Sequence, residues 1–188
     1  MITNRIKPLM GGIGRRLWCL IDDEGGMSAV EFALLLPLML TLYLGAVEVS
    51  QGIGAQRKVT LTTRTICDLV SQVSSIGNSD MTNALNASSA VIAPFPVGNL
   101  KVTVTSVKID AAGKATVDWS DTLNGTARAK GSAVMLPTAL NVANTSLIWA
   151  EVQYNYKPVI GYVVSGTLTL KDQIYLRPRL SDSVTRGT

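Results

Sequence analysis

An apolar segment of transmembrane length constrains this chain more than any other feature of its sequence. Ser28 to Val49 covers 22 residues, and the stretch from Phe32 to Val47 within it contains no charged side chain. About 20 helical residues cross the ~30 Å hydrocarbon core of a bilayer. The segment therefore predicts one transmembrane helix, and its length and apolarity disfavour the alternative of a buried helix in a soluble domain.

One carboxylate, that of Glu31, lies near the start of this segment and needs a reason. It is the only charged side chain between Glu24 and Glu48. A carboxylate inside a membrane costs about 2.5–3.5 kcal/mol on insertion scales. Either a partner compensates that charge, or the side chain reaches up to the headgroups and pairs with nothing.

The segments on both sides of the span predict its surroundings. Residues 1–26 hold four basic side chains, then three acidic ones and five glycines, and are interpreted as a cytoplasmic leader. Basic side chains also follow the span, so charge alone leaves its orientation open. Cys19 precedes the span and Cys67 follows it, so no disulfide between them is expected. Cys67 is interpreted as a small buried residue or a free thiol.

Beyond the span, which we place at residues 27–50, the pattern predicts that the helix continues over residues 51–76. Apolar and small side chains recur at spacings of four and three, the signature of an amphipathic face. They are Val59, Thr63, Ile66, Val70 and Val73. Gly52 and Gly54 each weaken a helix by about 1 kcal/mol relative to alanine, so two helices hinged there are the alternative.

The rest of the chain predicts a small antiparallel sheet. Residues 77–98 are interpreted as a linker rich in Ser, Asn and Ala, and residues 181–188 as a tail. Between them, in residues 99–180, apolar side chains alternate with polar ones. The alternating positions are Val102 and Val104; Ala115, Val117 and Trp119; Ile148, Ala150, Val152, Tyr154 and Tyr156; and Leu168, Leu170, Ile174 and Leu176. Residues 111–114 suit a hairpin turn, and the amphipathic helix is the available cover for the sheet. The predicted fold class is α+β.

Composition argues against several classes of chemistry. The chain has no histidine, which removes His-based triads and His-ligated zinc. Asp118 and Asp121 flank a strand end, where a solvated or capping role is favoured over catalysis. The net charge of +4 comes from scattered basic side chains, with no basic stripe for nucleic acid. We expect no enzyme activity, cofactor, metal, nucleic acid or small-molecule substrate.

The junction of leader and span resembles a known processing site. Gly26 is followed by MetSerAlaValGluPhe, which places Glu31 five residues and Phe32 six residues after the glycine. This is similar to the prepilin peptidase site of type IV pilin-like proteins. The longer string from Gly26 to Leu38, with GluValSerGln after it, resembles the TadE-type minor pseudopilins of the tight adherence (Flp) pilus, and leaves TadE, TadF and TadG subtypes open.

The resemblance implies roles for individual residues. Cleavage after Gly26 would make Met27 the new N-terminus, Glu31 would be the charge-pairing residue of assembly, and Phe32 would be the aromatic residue of the motif. Pro37 would kink the hydrophobic helix, where neighbouring groups in a membrane tolerate a missing hydrogen bond. The implied fold is pilin-like, with the long helix packed on the sheet.

The resemblance also implies a function, a location and partners. The chain would be a minor pseudopilin that helps to initiate or assemble an adhesive pilus. It would cross the bacterial inner membrane once, with a cytoplasmic N-terminus and a periplasmic C-terminal domain; whether it enters the fibre stays open. Expected partners are the prepilin peptidase, a companion pseudopilin, the inner-membrane assembly platform and the major pilin.

Two other interpretations compete with this one. A secretory signal peptide would be cut after the apolar run, where the sequence offers a poor small-x-small site. An uncleaved single-pass membrane protein whose periplasmic domain is a binding module is the stronger alternative.

Overall fold

The long predicted helix is continuous in the computed structural model, which describes residues 24–161 and 165–187. Helix α1 runs over Glu24–Ser71 and passes through Pro37, Gly52 and Gly54 without a break. The alternative of two helices hinged at the glycines is therefore wrong. Cys19 and all but the last three residues of the predicted cytoplasmic leader lie outside the described residues.

A second helix occupies most of the segment that the sequence predicted to be a linker. Helix α2 covers Asn78–Ile92, and a short 3-10 turn follows at Val97–Asn99. Its buried side chains recur at helical spacing: Met81, Ala84, Leu85, Ser88 and Ile92. Small residues on this face kept its apolarity low, so the linker prediction mistook a helix of weak amphipathicity for a loop.

The predicted sheet is present and has four antiparallel strands. They are β2 (Leu100–Ile109), β3 (Ala115–Leu123), β4 (Thr145–Tyr156) and β5 (Leu168–Leu176), in the spatial order β3-β2-β4-β5. The predicted turn joins β2 to β3. There the Asp110 carboxylate accepts hydrogen bonds from the backbone of Ala112 and Lys114, and Gly113 has a positive φ of 79°.

A β-bulge in β3 places on opposite faces of the sheet two residues, Ala115 and Trp119, that the alternating pattern had assigned to one face. Along β3, the partner of Ser106 is Trp119 but the partner of Val107 is Val117, so Asp118 is left over. One extra residue in a strand moves the side chains beyond it to the other face. Trp119 accordingly packs in one apolar cluster and Ala115 in another.

The predicted tail is part of the fold. Strand β1 (Ser75–Ile76) pairs in parallel with β6 (Thr185–Arg186). Val184 is fully buried, and its carbonyl oxygen accepts a 2.8 Å hydrogen bond from the indole of Trp119. The C-terminal segment therefore fastens the end of α1 to the sheet.

The first face of the sheet packs against α1 and α2. The amphipathic stripe of α1 is confirmed, since Val59, Thr63, Ile66 and Val70 are fully buried and Val73 packs against the same core. Cys67 is buried too, as predicted, and lies 3.4 Å from the carbonyl oxygen of Ile148. The predicted α+β fold, with a long helix on a small antiparallel sheet, is confirmed.

Helix α1 belongs to two compact units. Of the described residues, those up to Ala46 form one unit and those from Val47 onward form the other. The second unit contains α2 and every strand, so all the packing described above lies within it.

Candidate processing and assembly segment

The predicted cleavage position lies at the start of α1. The helix begins at Glu24, so Gly26 and Met27 are in its first turn. A Cβ atom built on Gly26 would meet no other atom within 4 Å, and Met27 is exposed. The described part of the chain therefore leaves room for a Cβ atom at position 26. The processing role of both residues stays a prediction.

Glu31 and Phe32 follow one helical turn later, and both are exposed. Residues four apart in a helix lie on the same face, about 6 Å apart along its axis. The amine that cleavage would create at Met27 could therefore approach Glu31 of the same chain. Because the carboxylate is exposed, it is also accessible to groups outside the chain.

Pro37 lies in the middle of the apolar segment. A proline inside a helix removes one backbone hydrogen bond, yet the helix continues on both sides of it. The hydroxyl of Thr41 donates a 2.8 Å hydrogen bond to the Pro37 carbonyl oxygen. The kink that the sequence predicted at this residue stays a prediction.

The helix around these residues carries an uncovered apolar surface. From Gly26 to Tyr43 every side-chain position is exposed, and the most apolar 18-residue window of the helix has a mean hydropathy of 2.0. By length and composition the helix can cross a membrane. An apolar helix of this kind suggests a membrane anchor.

Glu48, the next acidic residue along α1, is in a different environment. It is buried and belongs to the second unit. Burial raises the pKa of Tyr156, and the negative charge of Glu48 adds to that rise. Sequence reasoning treated Glu48 only as the end of an uncharged run. The signal available in the sequence was a single acidic side chain on the apolar side of an amphipathic helix, which indicates a buried carboxylate.

The second face of the sheet holds a charged groove that the sequence did not reveal. Arg128 comes from the loop after β3 and lies 3.9 Å above the ring of Trp149, which stacks on Tyr175. The guanidinium also pairs with the carboxylate of Glu151 and donates a hydrogen bond to Thr105. Burial raises the pKa of the Tyr175 hydroxyl, and the negative charge of Glu151 raises it further. These contacts hold one wall of the groove in place.

The groove is open and its lining is mostly polar. It encloses about 720 Å³, and its lining includes Lys101, Thr103, Arg128, Glu151, Gln153 and Lys171. Charges of both signs lie in it, so it has the chemistry to hold a polar chain or surface. The described residues contain no cluster of three or more Asp, Glu, Cys or His side chains that could hold a metal ion.

The two aspartates singled out from the sequence form ion pairs. Asp118 lies 2.9 Å from the Lys108 ammonium, and Asp121 lies 2.9 Å from the Arg186 guanidinium. The role expected for them was solvation or capping. They instead link neighbouring strands and hold the C-terminal segment.

Comparison with known proteins places a family match on the candidate segment. Residues 26–66 match the model of a protein family described as TadE-like protein. Comparisons with curated proteins and with solved structures gave no significant match. The matched range begins at Gly26 and extends into the buried part of α1, and it confirms the resemblance seen in the sequence.

Proposed function

We propose that this chain, whose residues 26–66 form a TadE-like segment, is a minor pseudopilin that takes part in assembling or initiating a Flp-type pilus. The TadE-like match suggests a component of the Tad pilus system, and it implies association with other components of that system. The finer statements are proposals: processing after Gly26, insertion in the inner membrane, and a periplasmic second unit.

The observation that carries the proposal is the position of the family match. It covers the leader junction, the exposed apolar part of α1 and the start of the part packed on the sheet. One part of such a helix can cross a membrane while the other part packs against a folded domain. The prepilin peptidase, a companion pseudopilin, the assembly platform and the major pilin are the proposed partners.

Processing is tested by changing Gly26. We expect Gly26→Trp to block cleavage, because a peptidase that cuts beside glycine has little room for a large side chain. Gly26→Ala is the matched control, since a Cβ atom at this position would meet no other atom within 4 Å. Mass spectrometry of the chain from cells with an active prepilin peptidase should find Met27 as the first residue. An intact leader in the unsubstituted chain would contradict the proposal.

Assembly is tested through the charge of Glu31. Two opposite charges attract more strongly in a medium of low dielectric constant than in water, so Glu31 could pair with the Met27 amine of a neighbouring subunit. We expect Glu31→Gln to be inserted and cleaved normally but to lose pili and its pseudopilin partners. Glu31→Asp keeps the charge and is the control. Normal numbers of pili on Glu31→Gln cells, counted by electron microscopy, would remove the assembly role.

The charged groove favours a second candidate function. In this alternative the chain is an uncleaved, membrane-anchored periplasmic binding module, and the groove around Arg128 holds the ligand. Deleting the gene separates the two functions. Loss of pili and surface attachment supports the pseudopilin, whereas intact pili with a lost response to a ligand supports the binding module.

A further inference from the structure

One end of the sheet lies beside the residues at which α1 enters the second unit. A Cβ atom on Gly52 would be 3.8 Å from the ring of Tyr156, the last residue of β4. Cys67 lies beside Ile148, near the start of the same strand. Helix α1 and β4 therefore run in opposite directions, and residues 47–52 are at the end of the sheet where β4 stops.

Two loops and the start of a strand form this end of the sheet. We call them the proximal rim: residues 93–99, residues 157–161, and Leu168. Leu168 pairs with Tyr156, and β2 begins directly after residue 99 opposite Tyr154. The ring of Phe95 packs on Tyr154 and Tyr156, with centroids 6.0 and 6.1 Å apart. These contacts hold Phe95 and Leu168 against the sheet.

The rim exposes apolar side chains that the fold does not cover. Val159 is 86% exposed and Ile160 is 48% exposed, and Val97 and Leu168, at the same end of the sheet, are exposed too. Residues 93–99 and 157–161 contain no acidic side chain, and Lys157 adds a positive charge. Apolar tips with a nearby lysine are typical of surfaces that enter the interface of a bilayer.

The position of the rim along the chain points to the same occupant. The predicted span ends at residue 50, two residues before Gly52, which corresponds to a rise of about 3 Å along a helix. Interfacial segments bury their apolar side chains by about 5–10 Å at the boundary of headgroups and acyl chains. The rim therefore lies, within the second unit, beside the residues of α1 that directly follow the predicted span.

We propose that the proximal rim is a second membrane contact, in which Val159 and Ile160 enter the bilayer interface and Lys157 lies among the lipid headgroups. The proposal rests on the membrane anchoring in the proposed function. It goes beyond that function because a single helix leaves a domain free to tilt and turn. A second contact would fix which side of the sheet is presented to partner subunits.

The test measures lipid contact at single positions of the full chain. A thiol-reactive fluorophore is attached to Val159→Cys, with Leu35→Cys as the probe of the span. Met135→Cys is the matched control, since Met135 is 95% exposed near the turn at the opposite end of the sheet. All variants carry Cys19→Ser, and the chain without an added cysteine measures labelling of buried Cys67. The chains are reconstituted in phosphatidylcholine–phosphatidylglycerol vesicles that contain doxyl-labelled lipid.

We expect the doxyl lipid to quench the probes at Val159 and Leu35 but not the probe at Met135. Quenching at Leu35 without quenching at Val159 would overturn the rim contact and leave the membrane anchor standing. No quenching at Leu35 would overturn the anchor itself. Equal quenching at Met135 and Val159 would show a domain lying on the membrane without a preferred side, and would overturn the rim contact too.

A charge substitution gives an independent second measurement. With the fluorophore on Val97→Cys, we expect Val159→Asp combined with Ile160→Asp to remove the quenching, while Met135→Asp leaves it unchanged. All three substituted residues are exposed, so the fold should tolerate the changes. Persistent quenching at Val97 in the doubly substituted chain would contradict the proposed insertion. Crosslinking of Val159 to a pilus protein, in place of lipid, would assign the rim to a protein interface.

Discussion

The two parts of α1 lie in one continuous helix but have different environments. From Gly26 to Tyr43 every position is exposed, although most side chains there are apolar. From Ala55 to Ser71 a single stripe is buried and the remaining positions are exposed or partly exposed. A helix that is apolar all round requires an apolar surrounding, whereas a stripe requires one packing partner. Within residues 24–161 and 165–187, the chain supplies a packing partner only for the stripe.

The second part is also fastened at its end. The backbone N–H of Arg179 donates to the Ser71 carbonyl oxygen at 2.9 Å, and that of Thr185 donates to Ser74 at 3.0 Å. The Arg179 guanidinium pairs with Asp68. The end of α1 is thus held by segments more than a hundred residues away in the sequence, so its stability depends on the whole second unit.

The largest effect is expected from a charge placed in the buried stripe. Ile66→Asp would bury an unpaired carboxylate in a fully buried position, which should destabilise the second unit by about 4 kcal/mol or more. Leu61→Asp, at an exposed position of the same helix, is the control and should change stability by about 0.5 kcal/mol or less. Denaturant unfolding of the detergent-solubilised chain, followed by fluorescence of Trp119 and Trp149, measures both. Equal losses of unfolding free energy in the two variants would contradict the proposed difference between buried and exposed positions of α1.

A charge in the exposed part should act on insertion and not on folding. Leu38→Asp lies near the middle of the predicted span and should raise the free energy of membrane insertion by about 2.5–3.5 kcal/mol. A translocon insertion assay on the segment measures that cost. The same substitution should leave the unfolding midpoint of the second unit unchanged. A lowered midpoint would show that the two parts of α1 are coupled in stability.

A smaller effect is expected where the C-terminal segment covers the core. Val184→Ala removes two buried methyl groups, which should destabilise the second unit by about 1.5 kcal/mol. Thr185→Ala, at an exposed neighbouring position, is the matched control. Unfolding curves of the two variants compare them directly. If Val184→Ala leaves the curve unchanged, residues 181–188 are a tail, as the sequence suggested.

The smallest effect is a pH dependence from Cys67. Burial raises the pKa of its thiol from 9.0 to about 12. The thiolate is then disfavoured in the folded state, so stability is unaffected below pH 9 and falls above it by up to about 1.4 kcal/mol per pH unit. Buried tyrosines titrate in the same direction, so the measured quantity is the difference from Cys67→Ala. Between pH 8 and 9.5 the expected difference stays below about 1 kcal/mol, and parallel stability curves for the two proteins over that range would contradict the expectation.

Periodicity predicted the elements whose burial is regular. The stripe of α1 and the four long strands were visible because apolar residues recurred at helical or alternating spacing. Helix α2 escaped because Ala84 and Ser88 pack closely without making its buried face strongly apolar. A change of face at the bulge in β3 also escaped, since a bulge depends on the pairing of two strands and not on either strand alone.

The candidate segment was predictable for a different reason. Gly26, Met27, Glu31 and Phe32 are close in sequence, so a local motif was sufficient for the resemblance that the family match at residues 26–66 confirms. The roles of these four residues stay predictions. The groove around Arg128 was not predictable in the same way. Arg128, Trp149 and Tyr175 come from separate segments and meet only when the strands pair and the loop after β3 folds over them.

The sequence by itself determined the membrane-length helix, the helical stripe that follows it and the α+β class, because each depends on local spacing and apolarity. Tertiary structure decided which residues cover the rest of the core, including Val184 and α2, and which charges pair, including Asp121 with Arg186. It also decided which end of the sheet lies beside residues 47–52. Those outcomes depend on contacts between residues far apart in the chain, and such contacts leave no periodic trace in the sequence.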